Sequence, residues 1–195
     1  MLASSIGSAV GSKGLASEGL TTDDAKGLYQ EECELVADLG VDFLILETLY
    51  YIEDALAAVE GACPTGLPTM VTMSCKPDLR SRDGLDMDEC AKRLKDAGAD
   101  IVGLNCMQDP DLMLPMMERI RDVVDGPIAA QPVAVTCAPY LYMGAGEGHW
   151  TGRVVSPERM ADYARRAREI GIDYIGSCCG SSPEQVRAMG EALRQ

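Results

Sequence analysis

The sequence predicts an α/β fold in which a parallel sheet is covered by helices. Short apolar runs alternate with helical segments in strict strand–helix order, which is typical of βαβ units with right-handed crossovers. The run VDFLIL at 41–46 is almost continuously apolar, as expected for a strand buried on both faces. Polar residues follow the strands at their carboxyl ends. An open doubly wound sheet and a barrel both satisfy this pattern.

Helix caps and glycine breaks set the predicted elements in the first half of the chain. Thr21 to Asp24 caps a helix that Gly40 ends, and a glycine- and serine-rich loop at 11–19 precedes it. The strand at 41–46 delivers Glu47 and Thr48 to its end. The predicted elements are strands at 2–6, 41–46, 69–73 and 101–104, and helices at 23–39, 52–59 and 87–97.

The second half continues the alternation with two strong helix starts. Asp109-Pro110-Asp111 and Ser156-Pro157-Glu158 combine a capping side chain with a proline in the first turn. A long loop at 137–155 separates the fifth strand from the helix after it. The predicted elements are helices at 109–124, 156–170 and 183–193, and strands at 128–136 and 172–175.

Size and charge limit the class of protein. A chain of 195 residues with 47% hydrophobic and 25% charged residues is expected to form one domain, residues 1–195. The net charge of −14 argues against nucleic-acid binding, and the sequence contains no apolar run long enough for a membrane helix. The start has no signal-peptide pattern, so its eight cysteines favour a reducing, cytoplasmic location.

Three cysteines lie at predicted strand ends and favour a metal site. Cys178 and Cys179 follow the strand at 172–175, Gly180 is predicted to make the turn after them, and Cys106 follows the strand at 101–104. Three thiolates that leave one coordination position open are typical of catalytic zinc. The thiols can share a metal only if their strand ends converge, which a barrel provides. We count six strands, whereas a barrel of this kind needs eight.

The remaining cysteines and several other motifs are interpreted as ordinary packing or surface features. Buried cysteine is often a small apolar residue, and we expect this of Cys33, Cys63, Cys75, Cys90 and Cys137, with Cys75 the closest to a strand end. Met113, Met116 and Met117 are expected to pack a helix. His149 and Trp150 belong to a surface loop or to a lid. The glycines at 144–148 weakly resemble a phosphate-binding loop, but the lysine of such a loop is missing.

The cysteine motifs resemble the homocysteine S-methyltransferase family, in particular its betaine-dependent members. GLNC at 103–106 and GSCCG at 176–180, followed by Ser-Pro-Glu at 182–184, carry the likeness. The segment VDFLILE at 41–47 with EDALAAVE at 53–60 is similar to the fourth barrel strand and its helix, and AQPVA at 130–134 to the seventh strand. The match spans essentially the whole chain.

The resemblance implies a fold, an activity and site residues. Members of the family are zinc-dependent (β/α)8 TIM barrels that transfer a methyl group from an activated donor to homocysteine and form methionine. By this likeness Cys106, Cys178 and Cys179 are the Zn2+ ligands, Glu47 holds the amino group of homocysteine, and Asn105 also contacts substrate. No catalytic residue beyond the metal site is implied. The partners are homocysteine and a small methyl donor that is a betaine, a sulfonium or a methyl-carrying cofactor.

The chain also departs from the family pattern. The segment at 5–7 resembles the third strand, so we expect an incomplete barrel that lacks roughly the first two β/α units. A homo-oligomer or a partner chain could supply the missing strands, since open edges are an aggregation liability. Thr48 stands where betaine enzymes usually carry an aromatic residue, and the loop at 140–150 also differs, so the methyl donor stays open.

Two alternatives to an active methyltransferase stay open at this point. The first is a truncated barrel that binds zinc without turnover. The second is a redox protein that uses the cysteine pair. Because the pair does not have the Cys-x-x-Cys spacing of thioredoxin-like sites, the redox hypothesis is the weaker one. Glu47 could also be a solvated carboxylate, although a carboxylate directly after a buried strand usually faces the site.

Overall fold

The computed structural model describes residues 1–76, 78–136 and 153–194 and shows a single parallel sheet of six strands in the order β1-β2-β3-β4-β5-β6. The predicted alternation of strands and helices is confirmed. Cys137, the loop at 140–150 and its His149 and Trp150 lie outside the described residues. The strands are β1 (Ala3–Ile6), β2 (Phe43–Leu49), β3 (Thr69–Met73), β4 (Ile101–Asn105), β5 (Ile128–Gln131) and β6 (Tyr174–Ile175). The helices are α1 (Leu15–Glu18), α2 (Thr22–Asp38), α3 (Ile52–Ala62), α4 (Met87–Asp96), α5 (Pro110–Val123), α6 (Pro157–Ile170) and α7 (Pro183–Ala192), with a 3-10 turn η1 (Cys63–Thr65).

The core lies between the sheet and the helices. Leu46, Val71 and Val102 stand opposite one another in the register and are fully buried in the same hydrophobic cluster as the helix residues. Because side chains alternate along a strand, Thr72 and Asn105 belong to the other face of the sheet. That inner face therefore carries the polar side chains near the strand ends.

Two glycines allow close approach between elements. A Cβ built on Gly103 of β4 would lie 1.9 Å from the carbonyl oxygen of Ala129 on β5. A Cβ on Gly61 of α3 would lie 2.7 Å from the Cβ of Tyr29 on α2. Only glycine fits at either contact, so these residues fix how tightly β4 meets β5 and α2 meets α3.

The structure differs from the prediction at three places. The strand predicted at 128–136 ends at Gln131, because Pro132 has no N–H to continue a ladder. Strand β2 continues to Leu49 through an irregularity at which Thr48 takes φ 62°, so Glu47 and Thr48 lie inside the strand. The loop predicted at 11–19 contains the one-turn helix α1.

Both ends of the described sheet are open. Strands β1 and β6 each pair with a single neighbour. The end helices expose large apolar side chains, which are Leu28 (48%), Leu35 (61%) and Leu39 (76%) beside or on α2 and Val186 (54%) on α7. Among the helices that the structure describes, none is long and apolar enough to cross a membrane.

Candidate metal centre

The sulfurs of Cys106, Cys178 and Cys179 meet at the carboxyl ends of β4 and β6. The Sγ of Cys106 lies 3.6 Å from that of Cys179, which lies 3.9 Å from that of Cys178. All three sulfurs lie within 4.8 Å of one another. We call them the three-sulfur cluster. Cys106 is buried, Cys178 is half-buried and Cys179 is exposed, so the cluster is open on one side.

A left-handed turn directs Cys106 into the cluster. Cys106 and Met107 take φ 59° and 57°, a conformation that non-glycine residues rarely adopt. Two hydrogen bonds hold this turn: Cys106 N–H donates to the carbonyl of Gln131 (2.9 Å), and Gln108 N–H donates to the carbonyl of Cys106 (2.6 Å). Backbone strain of this kind persists where the surroundings determine the conformation, and it is common at functional sites.

The cysteine pair is held by the segment that follows β5. Cys178 N–H donates to the carbonyl of Pro132 (2.8 Å), and Ala134 N–H donates to the carbonyl of Cys179 (3.0 Å). Gly180 then takes φ 80°, and its predicted role as the turn after the pair is confirmed. Both halves of the three-sulfur cluster are thus fixed to β5 or its extension.

The spacing of the sulfurs fits a single soft metal ion. Tetrahedral zinc with bonds of ~2.3 Å places its sulfur ligands roughly 3.8 Å apart. The separations of 3.6 and 3.9 Å match this value, and the third, between Cys106 and Cys178, is at most 4.8 Å. Three cysteine ligands with an exposed side leave one position for water or substrate. The cluster could therefore hold a metal in the geometry of a catalytic site.

The thiols influence one another's ionisation. A hydrogen bond from Cys106, with smaller help from backbone N–H, lowers the pKa of Cys178. The same hydrogen bond, together with burial, raises the pKa of Cys106. Burial and the negative charge on Cys178 raise the pKa of Cys179. A negative charge on one thiol therefore opposes ionisation of its neighbours until a cation balances the charge.

Glu47 and Asn105 lie next to the three-sulfur cluster. The carboxylate of Glu47 accepts hydrogen bonds from Ser5 Oγ and from Asn105 Nδ2 (3.4 Å). Asn105 is fully buried, and its Nδ2 also lies 3.9 Å from Cys178 Sγ. The structure thus brings together all five residues predicted for the site.

The other described cysteines lie apart from this centre. Cys33, Cys75 and Cys90 are buried in the hydrophobic core, as expected. Cys63 is exposed at the end of α3, so the expectation that it is a buried apolar residue is wrong. Met113, Met116 and Met117 pack in the core as predicted. Cys75 contacts Met116 through its sulfur at 3.8 Å.

Sequence reasoning missed Tyr50, which lies near the sulfurs. Burial raises the pKa of Tyr50, and the charges of the three thiols raise it further. The guanidinium of Arg82 stacks 4.6 Å from the centre of its ring. No sequence signal distinguished Tyr50 from Tyr51.

The fold is that of an α/β protein with a parallel sheet, and three cysteine sulfurs at the carboxyl ends of its strands could hold a metal ion. The family model for homocysteine S-methyltransferase matches residues 1–193. The chain belongs to the homocysteine S-methyltransferase family. The resemblance predicted from the cysteine motifs is thereby confirmed.

Curated relatives agree with this assignment. The chain is 33% identical over 178 residues to the S-methylmethionine–homocysteine S-methyltransferase of Mus musculus, covering 86% of this chain and 49% of that protein. It is 34% identical over 182 residues to betaine–homocysteine S-methyltransferase 1 of Bos taurus, covering 87% and 44%. The chain thus spans about half the length of the curated relatives it matches.

Solved structures agree on the fold. The homocysteine methyltransferase MmuM of Escherichia coli in its apo form superposes with a TM-score of 0.74 at 17% identity, over 98% of this chain and 62% of that chain. Its metallated form gives 0.73 at 17% identity, over 100% and 62%. The six-stranded sheet is therefore part of a TIM-barrel-type fold, as predicted.

Proposed function

We propose that this chain carries the zinc site of an enzyme that transfers a methyl group from an activated donor to the thiol of homocysteine and forms methionine. The observation that carries the proposal is the three-sulfur cluster, whose spacing fits one zinc ion. Membership of the homocysteine S-methyltransferase family supports the substrate. The ligands would be Cys106, Cys178 and Cys179.

Zinc, when bound, would supply a cation that keeps the substrate thiol deprotonated, and the thiolate is the nucleophilic form of sulfur. The three cysteine thiolates would already exceed the charge of Zn2+ by one, so they keep the substrate sulfur rich in electrons. The amide of Asn105 lies between Glu47 and Cys178 and contacts both, so the Glu47 carboxylate would accept hydrogen bonds from the ammonium group of homocysteine. The carboxylate would thus orient the substrate toward the open side of the cluster.

The transfer step defines the class of methyl donor. A bond forms between the substrate sulfur and the methyl carbon while the bond from that carbon to its carrier breaks. The bonding electron pair leaves with the carrier, which a sulfonium or quaternary ammonium releases as a neutral sulfide or amine. The curated relatives are named for donors of both kinds, S-methylmethionine and betaine. We therefore propose a cationic methyl donor, and a methyl-carrying cofactor is the remaining alternative.

A donor panel tests the activity. Purified zinc-loaded chain is incubated with homocysteine and either betaine, S-methylmethionine or a methylated cofactor, and methionine is measured. Methionine with one donor, lost in Cys179→Ser, supports the proposal. Zinc binding without methionine from any donor favours the alternative of a barrel that binds metal without turnover.

We further propose that residues 1–195 form one domain whose open ends are covered by two more β/α units. One hydrophobic cluster includes residues from β1 to α7, which supports a single domain. Exposed apolar residues on α2 and α7, the first long helix and the last helix of the described chain, support such a cover. A segment of another polypeptide or a second copy of this chain could provide the cover. Light scattering tests whether a second copy of the chain covers the open ends of the sheet. A chain that is monomeric at micromolar concentration and stable to heating would contradict the proposal that these ends must be covered.

The seven described cysteines are all free thiols, and a zinc–thiolate site requires reduced cysteine. We therefore propose a cytoplasmic location. Fractionation of cells followed by immunoblotting tests it, and recovery in a secreted or membrane fraction would contradict it.

A further inference from the structure

Asn105 is the best-connected polar side chain beside the three-sulfur cluster. It is fully buried at the end of β4, directly before the ligand position Cys106. Its own carbonyl accepts a hydrogen bond from Ser74 Oγ at 2.6 Å, which fixes the backbone at this point. The side-chain amide therefore projects from a rigid position.

The amide of Asn105 connects two neighbouring strands with a fixed orientation. Its Oδ1 accepts a hydrogen bond from Thr48 N–H (2.8 Å), and its Nδ2 donates to Thr48 Oγ1 (2.7 Å). Because a backbone N–H can only donate, the atom that faces it must be Oδ1. The amide cannot be turned around without losing this bond, so Nδ2 is held on the side of the three-sulfur cluster.

Thr48 shows why this connection is needed. It takes φ 62° inside β2, a conformation that is unfavourable for a β-branched residue. Two hydrogen bonds to one amide stabilise Thr48 in this conformation and fix Glu47 beside it. The Nδ2 group also lies 3.4 Å from Glu47 Oε2 and 3.9 Å from Cys178 Sγ. One amide thus contacts the carboxylate proposed for the substrate amine and a sulfur proposed for the metal.

We propose that Asn105 is a positioning residue that fixes Glu47 and Thr48 relative to the three-sulfur cluster and directs an N–H group at Cys178 Sγ, and that it does not bind substrate itself. Its acceptor and donor groups are already engaged within the protein. The N–H group withdraws electron density from the Cys178 sulfur and fixes its direction. This inference rests on the proposed metal site, and it replaces the direct substrate contact that the family resemblance implied for Asn105.

The test is the cobalt spectrum of the full chain in the absence of homocysteine. Cobalt(II) replaces zinc, and its sulfur-to-metal charge-transfer bands report the energy of the thiolate electrons. Asn105→Leu removes every contact of the amide, whereas Asn105→Asp keeps an acceptor for Thr48 N–H and removes the donors. We expect both variants to shift the bands to longer wavelength and to weaken cobalt binding by about 10-fold or more.

Tyr163→Phe is the matched control. It removes a buried 2.7 Å hydrogen bond to the carbonyl of Ala130 on β5, from the helix side of the sheet. It should cost similar stability and leave the bands and the cobalt affinity unchanged. If both Asn105 variants fail to fold, Thr48→Ala takes their place, because it removes the Oγ1 acceptor that holds Nδ2 in its orientation toward Cys178. The loosened amide should give a smaller shift in the same direction.

The outcomes separate this inference from the proposed function. If the Asn105 variants have the same cobalt bands as the wild type and change only the KM for homocysteine, the inference is overturned. Asn105 would then contact the substrate directly. A wild-type chain that gives no thiolate bands contradicts the metal site and this inference with it. Shifted bands in the Asn105 variants and unshifted bands in Tyr163→Phe support it.

Discussion

The Sγ atoms of Cys106 and Cys179 lie 3.6 Å apart although 73 positions separate them in the chain. The parallel order of β4, β5 and β6 makes this possible, because it places the carboxyl ends of β4 and β6 on either side of β5. Glu47 on β2 is connected to the same site by its hydrogen bond with Asn105. The site is therefore a property of the sheet edge as a whole, and changes at several strands should affect it.

Replacing Glu47 should weaken homocysteine binding. Glu47→Gln keeps the size of the side chain but removes the negative charge that we propose binds the ammonium group of homocysteine. A hydrogen bond to a charged group contributes about 1.5–3 kcal/mol, which corresponds to roughly a 10- to 100-fold rise in KM. Steady-state kinetics with homocysteine and with an analogue that lacks the amino group measures this.

The analogue and a surface variant provide the controls for Glu47. For the analogue without the amino group, the wild type and Glu47→Gln should have the same KM. Glu60→Gln removes an exposed carboxylate paired with Lys26 at 3.0 Å and should leave KM unchanged. Equal KM values for homocysteine in wild type and Glu47→Gln would contradict the assigned role.

Gly103→Ala should severely destabilise the fold. The new methyl group would lie 1.9 Å from the carbonyl oxygen of Ala129, and both atoms belong to rigid backbone. We expect a loss of about 3 kcal/mol or more in the free energy of unfolding, at or beyond the upper end of overpacking. Urea denaturation followed by circular dichroism gives the value.

Gly190→Ala is the matched control for this change. Gly190 lies within α7, and a Cβ there meets no atom within 4 Å. Alanine should stabilise the helix by about 1 kcal/mol. If the two substitutions had similar effects on unfolding, the close contact between β4 and β5 would be wrong.

The buried carboxylate of Asp54 should make stability depend on pH. Asp54 is fully buried in the first turn of α3 and accepts hydrogen bonds from Ser8 Oγ (2.6 Å) and Tyr29 OH (2.9 Å). Burial raises its pKa above the usual value. The folded chain therefore binds this proton more tightly than the unfolded chain, and its stabilising contribution is lost as the pH rises through the folded pKa.

Asp54→Asn isolates this contribution. The unfolding free energy of wild type minus that of Asp54→Asn should be largest in acid, near or below about pH 4, and should fall as the pH rises toward 7. Denaturant titrations across this range measure it. A difference that grows with pH would refute the assignment.

Local signals predicted the alternation of strands and helices and placed the three cysteines at strand ends, whereas the barrel that brings these strand ends together was implied by the family resemblance. The cap of α2 is an example: Thr21 accepts a hydrogen bond from Asp24 N–H, while the Asp24 carboxylate accepts one from Thr21 N–H. Such pairs are read directly from neighbouring residues. The cysteines stand at strand ends for the same reason, since a short apolar run fixes where a strand stops.

Long-range contacts account for what the sequence did not predict. The left-handed conformation of Thr48 depends on Asn105, which lies 57 positions away, so no local pattern indicates it. The early end of β5 was predictable from Pro132, which cannot donate to a ladder, but the apolar run through 136 masked this signal.

Metal content of the purified chain tests the central proposal most directly. Chain produced with zinc and freed of loosely bound ions should contain one zinc per chain by plasma mass spectrometry. Cys106→Ser, Cys178→Ser and Cys179→Ser should each lose most of this zinc, whereas Cys63→Ser, at an exposed cysteine outside the three-sulfur cluster, should keep it. Full zinc content in all three cluster variants, or none in the wild type, would contradict the account.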